Sequence, residues 1–259
     1  MIIYIHPESI TKKIGIVVPP DKSRHLMTVM RCKHGDELTV IDGVGKSYLA
    51  RISDIQKKAV LIDIIHESAL DAESLVSIIL CQGILKGEKM DLVVQKATEL
   101  GISAIVPMIS ARCQVRETRK TRRWRKIAEE AAEQCGRAVV PDIVEPQAFA
   151  AIFGMPIVGQ AAARLIFWEG GGLPLDEAME QAFFGAGTPE GIVEGPLVIC
   201  TGPEGGFALS EIEAAEAGGF IRATLGKRIL RAETAAIAAV TLVQFLAEKK
   251  GKPFPKSLT

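Results

Sequence analysis

PLVICTGPEGGF, Pro196 to Phe207, and IRATLGKRILRAETAAIA, Ile221 to Ala238, are the two stretches that decide how this chain folds. In the first, Leu197–Cys200 has the length and bulk of a strand buried on both faces of a parallel sheet. Gly202, Pro203, Gly205 and Gly206 then predict a tight turn, where missing side chains let a ligand reach the backbone. Ser210 and Glu213 have the spacing of a capping box, which predicts a helix from about Ser210. Some twenty residues on the pattern returns: Ile221–Leu225 reads as strand, a basic loop follows, and a helix begins near Glu233. Two such loops at the carboxyl ends of neighbouring strands are where α/β sheets bind ligands.

The loop chemistry narrows the ligand. No Lys-Ser or Lys-Thr follows the glycines, so a P-loop is absent. Gly-Pro-Glu-Gly-Gly is not the dinucleotide spacing, Pro203 removes one amide donor, and Glu204 would repel phosphate. A neutral or cationic ligand held mainly by backbone groups suits the turn better than a polyphosphate. The plain alternative is a glycine turn that only reverses the chain, and the second loop argues against it.

The 259 residues allow one large domain or two modest ones, with ample apolar content for real cores. No run of eighteen apolar residues appears and no leader is recognisable, so a cytoplasmic protein without a membrane span is expected. The five cysteines (Cys32, Cys81, Cys113, Cys135, Cys200) form no C-x-x-C pair, which predicts neither disulfides nor zinc. The four histidines all precede residue 70, so a metal cluster or a His-based triad near the glycine loops is not expected. Net charge is zero, yet Arg112, Arg116, Arg119, Lys120, Arg122, Arg123, Arg125 and Lys126 crowd one segment. Arg125 with Glu129 and Lys126 with Glu130 read as a solvated helix face. The cations from Arg112 to Arg123 lack such partners in the sequence and suit a polyanion.

Residues 1–70 read as a small β-barrel: short β-rich runs between Pro, Gly and Asp turns, interrupted by one helix with Ser23 as its cap. Arg24 and Arg31 on that helix either face RNA or keep the barrel's outside wet. A polar connector, His66 to Ser74, marks the boundary, and residues 74–250 alternate strand and helix, which predicts a mostly parallel α/β sheet. Gly185 to Gly195 reads as an insertion.

The blocks HLMTVMRCKHGDELTVIDG, KGEKMDLVVQKATELGI, RRWRKIAEEAAEQCGR, TGPEGGF and LGKRILRAETAAIAA occur in an order that resembles the bacterial 16S rRNA uracil-N3 methyltransferases of the SPOUT superfamily, over nearly the whole chain. The resemblance implies a PUA-like barrel, residues 1–70, that binds RNA, and a SPOUT-type α/β domain, residues 74–250, whose C-terminal part threads a deep trefoil knot. It implies S-adenosylmethionine as cofactor, the small ribosomal subunit as partner and a homodimer as the active form. Periodicity cannot show a knot.

Carried onto this chain, the cofactor loops are Glu169 to Gly172 (Glu169 and Gly170 foremost), Thr201, Gly202, Pro203, Glu204, Gly205 and Gly206, and Leu225 to Arg231. In the last, the backbones of Leu225, Gly226 and Leu230 would address the adenine edge, with Ile229 alongside. Glu169 or Glu204 suits a positive sulfonium. N3 methylation requires alignment and stabilisation of a uracil anion, a role assigned to Arg231, with Arg228 second; the alternative is an ion pair with Glu233. The target base must leave its stack, and Lys86, Lys89 and Lys96 would hold flanking phosphates, extended by Arg112, Arg116, Arg122 and Arg123. Competing readings are the same fold acting on another RNA such as tRNA ribose, a non-catalytic ribosome-assembly factor, and a nucleotide-dependent oxidoreductase.

Overall fold

The computed structural model describes residues 1–70, 72–184 and 195–251; of the expected insertion, Gly185 to Val193 and Glu194 lie outside the described residues. The chain divides into two compact units. One comprises Met1–Glu73 and Ala128–Pro141; the other comprises Ser74–Ile127 and the chain from Asp142.

The first unit carries β1 (Ile2–Tyr4), β2 (Ile16–Val17), helix α1 (Pro20–Thr28), β3 (Glu37–Ile41), β4 (Ser47–Ile55) and β5 (Val60–Ser68). The sheet order is β1-β3-β4-β5-β2, with β1 parallel to β3 and the remaining pairs antiparallel. Register shifts at Leu49/Ala50 and Ile52/Asp54 are bulges that raise the local twist. All five strands and α1 contribute to one core, among them Ile3, Ile16, Leu26, Val40, Ile52 and Ile62, as a sheet curled into a small barrel requires. Ser23 does not cap α1. It lies inside the helix, fully buried, donating to the Val18 carbonyl and accepting from the Val60 amide. Pro20 opens the helix instead, where its missing amide costs nothing.

The segment from residue 128 completes this unit. Ala132 and Ala138 pack with Ile41, Ile2 and Tyr4. Glu133 accepts hydrogen bonds from the Tyr4 amide and the Lys22 ammonium. Arg137 is almost fully buried and donates to Glu73 at 2.9 Å, whose other oxygen takes the Val139 amide.

The second unit runs β6 (Ile78–Gly83), α2 (Lys89–Glu99), β7 (Ala104–Ile109), α3 (Thr121–Cys135, ending in the first unit), β8 (Asp142–Ile143), β9 (Gln147–Ala148), α4 (Pro156–Gly159), β10 (Ala163–Phe167), β11 (Leu173–Pro174), α5 (Leu175–Phe184), β12 (Leu197–Thr201), α6 (Leu209–Ala217), β13 (Ile221–Thr224) and α7 (Ala232–Gly251). The strands lie in the order β11-β13-β10-β12-β6-β7-β8, with β9 also against β7. Every pairing is parallel. β6 and β12 are buried along their whole lengths, which is why both read as unbroken apolar runs. Phe149, Phe207, Phe220, Ile212 and Ile152 fill one of their faces, and α2 and α7 pack together, with α7 also on β6 and β12.

Helix α6 starts one residue before Ser210. Its cap position is Ala208, and Glu211 rather than Glu213 is the third helical residue, accepting the Ala208 amide at 2.9 Å. The other Glu211 oxygen takes the Ala111 amide at 2.7 Å, so a long-range bond and not the local Ser-Glu spacing sets the helix start.

Candidate active site

Because β13, β10 and β12 are adjacent, the loops that follow them meet at one edge of the sheet. They enclose a cleft of about 510 Å³, of the size that holds small cofactors. Its lining includes Glu169, all of Thr201–Gly206, all of Thr224–Glu233, and Lys89 from the start of α2. Every residue assigned to the cofactor by resemblance lines it except Gly170, Gly171 and Gly172; the Cα of Gly170 faces the Trp168 ring so closely that a side chain there would strike it.

The Thr201–Gly206 turn is fixed from several sides. Gln82, fully buried at the end of β6, donates to the carbonyls of Gly83 and Gly202 and accepts the Thr201 hydroxyl at 2.6 Å. Gly83 lies so near the turn that a Cβ would come within 2.5 Å of the Pro203 nitrogen. The Gly206 amide closes the turn onto the Pro203 carbonyl at 2.9 Å. Gly206 has φ +66 and sits against the Glu169 carboxylate, so two requirements select glycine there. Arg112 donates to the Gly205 carbonyl at 3.2 Å.

Glu204 points back from this turn. Its Oε1 accepts the Lys86 amide at 3.0 Å and lies 3.4 Å from Lys89 Nζ. Burial alone would push this carboxyl up, but the amides of Lys86 and Glu204 and the Lys89 charge outweigh it and hold it below the ordinary value. Lys89 Nζ is also 3.8 Å from Glu233 Oε2. Oε2 of Glu204 and Oε2 of Glu233 are each sealed from water without a hydrogen-bond partner. Around Lys89 the cleft thus sets two carboxylates against one ammonium, each carboxylate with one oxygen unsatisfied, and Glu169 adds a third acid to the lining. That local excess of negative charge suits a cationic ligand.

The second loop is different. Arg228 and Arg231 are exposed and, among the described residues, neither side chain takes part in a hydrogen bond or ion pair. Glu233, the alternative partner for Arg231, is engaged by Lys89. Ile229 is 84% exposed.

Several cations expected to be free are held. Lys89 belongs to the cleft, Lys96 pairs with Glu99 at 2.9 Å, and Arg123 pairs with Asp91 at 2.8 Å, beside the Trp124 indole on the same carboxylate. Arg116 donates to the carbonyls of Ser110 and Ala111. The reading of Arg112 to Arg123 as unpartnered is thus corrected for Arg112, Arg116 and Arg123: backbone carbonyls and an acid distant in sequence satisfy them. Arg122 and Lys86 remain exposed in this unit, and Arg24 and Arg31 in the first. Sequence reasoning missed Gln82 and Glu211. A polar residue closing the apolar run of β6 was the available signal for the first; none marked the second. Among the described residues there is no group of three or more acids, histidines or cysteines placed to hold a metal, and no helix long and apolar enough to cross a membrane.

The class follows from two domain matches. Residues 72–244 match the RNA methyltransferase domain, and residues 18–65 match the RNA methyltransferase PUA domain. The Synechocystis ribosomal RNA small subunit methyltransferase E is 30% identical over 94% of this chain and 77% of its own length. The Neisseria gonorrhoeae ribosomal RNA small subunit methyltransferase E, solved bound to S-adenosyl methionine, has a TM-score of 0.81 and 34% identity, covering 95% of this chain and 97% of that one. A Legionella pneumophila methyltransferase in complex with the same cofactor has a TM-score of 0.79 and 31% identity, over 94% and 96%. The chain belongs to the ribosomal RNA small subunit methyltransferase E family.

Proposed function

We propose that this protein uses S-adenosylmethionine to methylate N3 of a specific uridine in 16S rRNA of the small ribosomal subunit. The observation that carries the reading is the cleft itself, with Glu204 and Glu233 about Lys89 on one wall and, on the other, two arginines unengaged among the described residues. The residues suit the cofactor: backbone-lined loops for an uncharged adenosine, and Glu204 and Glu233 for a positive centre. When bound, S-adenosylmethionine supplies an electrophilic methyl group on a cationic sulfur.

The remaining work falls to the chain. The Leu225–Leu230 backbone addresses the adenine edge, and the pinned Thr201–Gly206 turn fixes the depth of the ligand, which is an entropic contribution to the rate. N3 of uracil attacks in the plane of the ring, along the direction its proton occupied, so that proton must first pass to solvent water. Arg231, with Arg228 second, stabilises the anion by donating to O2 or O4. Exposed cations such as Lys86 and Arg122, and Arg24 and Arg31 of the first unit, bind flanking phosphates. A knotted C-terminal part, a cytoplasmic location and a homodimer belong to the same reading. Support for the dimer comes from the exposed Leu242 and Phe245 on α7 and Leu92 on α2, apolar surface that a second copy would cover.

Incubation with methyl-labelled S-adenosylmethionine and either small subunits or free 16S rRNA, followed by nucleoside analysis, tests the reading. Label in 3-methyluridine at one position is expected. Label on ribose, or none in either substrate, overturns it.

A further inference from the structure

The position of Lys89 has a consequence beyond catalysis. Its ammonium lies 3.4 Å from Glu204 and 3.8 Å from Glu233, both longer than a well-made charge-assisted bond, and its side chain is 41% exposed. Next to it in the chain are the exposed Lys86 and, through a 3.4 Å bond to the Gly87 carbonyl, Lys120. Lys89 lines the cleft and Lys86 and Lys120 stand outside it at the same short segment, so three lysines offer a landing place for phosphate whose inner member is neutralised by the two carboxylates behind it.

Charge counting gives the rest. Without ligand, the Lys89–Glu204–Glu233 group by itself carries one net negative charge, which offsets part of the pull that Lys86 and Lys120, with Lys227, Arg228 and Arg231 of the cleft, exert on an approaching phosphate; Glu169 adds to the negative side. A ligand with a cationic centre brings the group to neutrality. The demethylated product, whose sulfur is a neutral thioether, leaves it negative. We propose that Lys86, Lys89 and Lys120 form an RNA phosphate site whose strength is set by the charge on the cofactor, so that the donor-loaded protein binds RNA more tightly than the empty or product-loaded protein. Linkage makes the effect reciprocal: bound RNA favours the charged cofactor over the spent one. Methyl transfer then weakens the grip on the RNA it has just modified. This rests on the cofactor reading above.

Binding of purified, unmodified small subunits by the full-length protein, measured by filter retention at low salt, tests it without turnover. Sinefungin, which carries an amine where the donor carries its sulfonium, is compared with S-adenosylhomocysteine and with no ligand. Sinefungin is expected to tighten binding about five-fold, near the low end of ordinary couplings, while the other two states agree within about two-fold, and the difference should fade as salt rises. Lys89→Met should shrink the difference, leaving only what Lys86 and Lys120 sense of the cofactor's charge. Glu233→Gln should raise the affinity of the empty protein toward that of the sinefungin state. Equal affinities in all three states, or an undiminished difference in both variants, overturn the proposal. Calorimetry separates the two failures: if neither ligand binds, the cofactor reading falls as well; if both bind without coupling, only this inference does.

Discussion

Across the cleft, the Thr201–Gly206 turn is tied down by Gln82, Arg112, the Lys86 amide and the close approach of Gly83. Leu225–Arg231, facing it, presents two arginines without partners among the described residues and an isoleucine mostly in solvent. The first wall is built to hold a shape before any ligand arrives, as a preorganised site must be. The second keeps its charged groups in solvent. Under the proposed function the difference divides the labour: the fixed shape belongs to β12 and its neighbours, and the charge that would meet the substrate to the loop after β13.

The sharpest way to break this contrast is Arg231→Ala. Turnover should fall about 100- to 1000-fold, with S-adenosylmethionine affinity by calorimetry unchanged within about two-fold. Equal losses in both would mean that Arg231 supports the shape of the second wall and not the chemistry. Gly83→Ala attacks the first wall, since its Cβ has backbone rather than a flexible side chain in the way. It should cost about 2–3 kcal/mol in denaturant unfolding, whereas Ile229→Ser in the open loop should stay within about 0.5 kcal/mol. Gln82→Leu strands the Gly202 carbonyl and the Thr201 hydroxyl, at about 2 kcal/mol.

The pH dependence of stability sharpens the comparison further. The Glu204 carboxyl is held low in the folded state, so its stabilising contribution is fully present above the unfolded-chain value of about 4.3 and is lost as pH falls through the depressed folded value. The stability gap between the wild type and Glu204→Gln should therefore be flat near neutrality and close in acid. A gap that persists at low pH would show that the turn does not depend on the ionised carboxylate. The smallest effect belongs to the outer surface: Arg122→Glu should reduce the salt slope of RNA binding by about one to two. Arg123→Glu should also lower stability, because Arg123 holds the buried Asp91.

The α/β sheet and both loops of the cleft were legible because their information is local: unbroken apolar strands, glycine turns and a helix after each. What escaped the sequence depends on partners distant in the chain. The start of α6 is set by Glu211 reaching back to Ala111, a bond no spacing rule contains. Ser23 reads as a cap by composition but is buried between Val18 and Val60. Lys89 looks like one more surface lysine until β12 and α7 bring Glu204 and Glu233 to it. The basic segment misled for the same reason. Arg112 and Arg123 find a carbonyl and an acid that lie far off in the sequence, Arg116 turns back onto the carbonyls of Ser110 and Ala111, and only the folded chain separates Arg122 from Arg123, engaged at Asp91.

The first unit needs Ala132, Glu133 and Arg137 to complete its packing around Tyr4, Lys22, Ile41 and Glu73. During synthesis, therefore, the barrel's own core, Ile3 to Ile62, leaves the ribosome complete, while the smaller cluster around Ile41 and the acceptor of the Lys22 ammonium wait for the chain through Pro141. A fragment cut at the apparent linker would keep the inner core and leave that outer face of the unit without its cover.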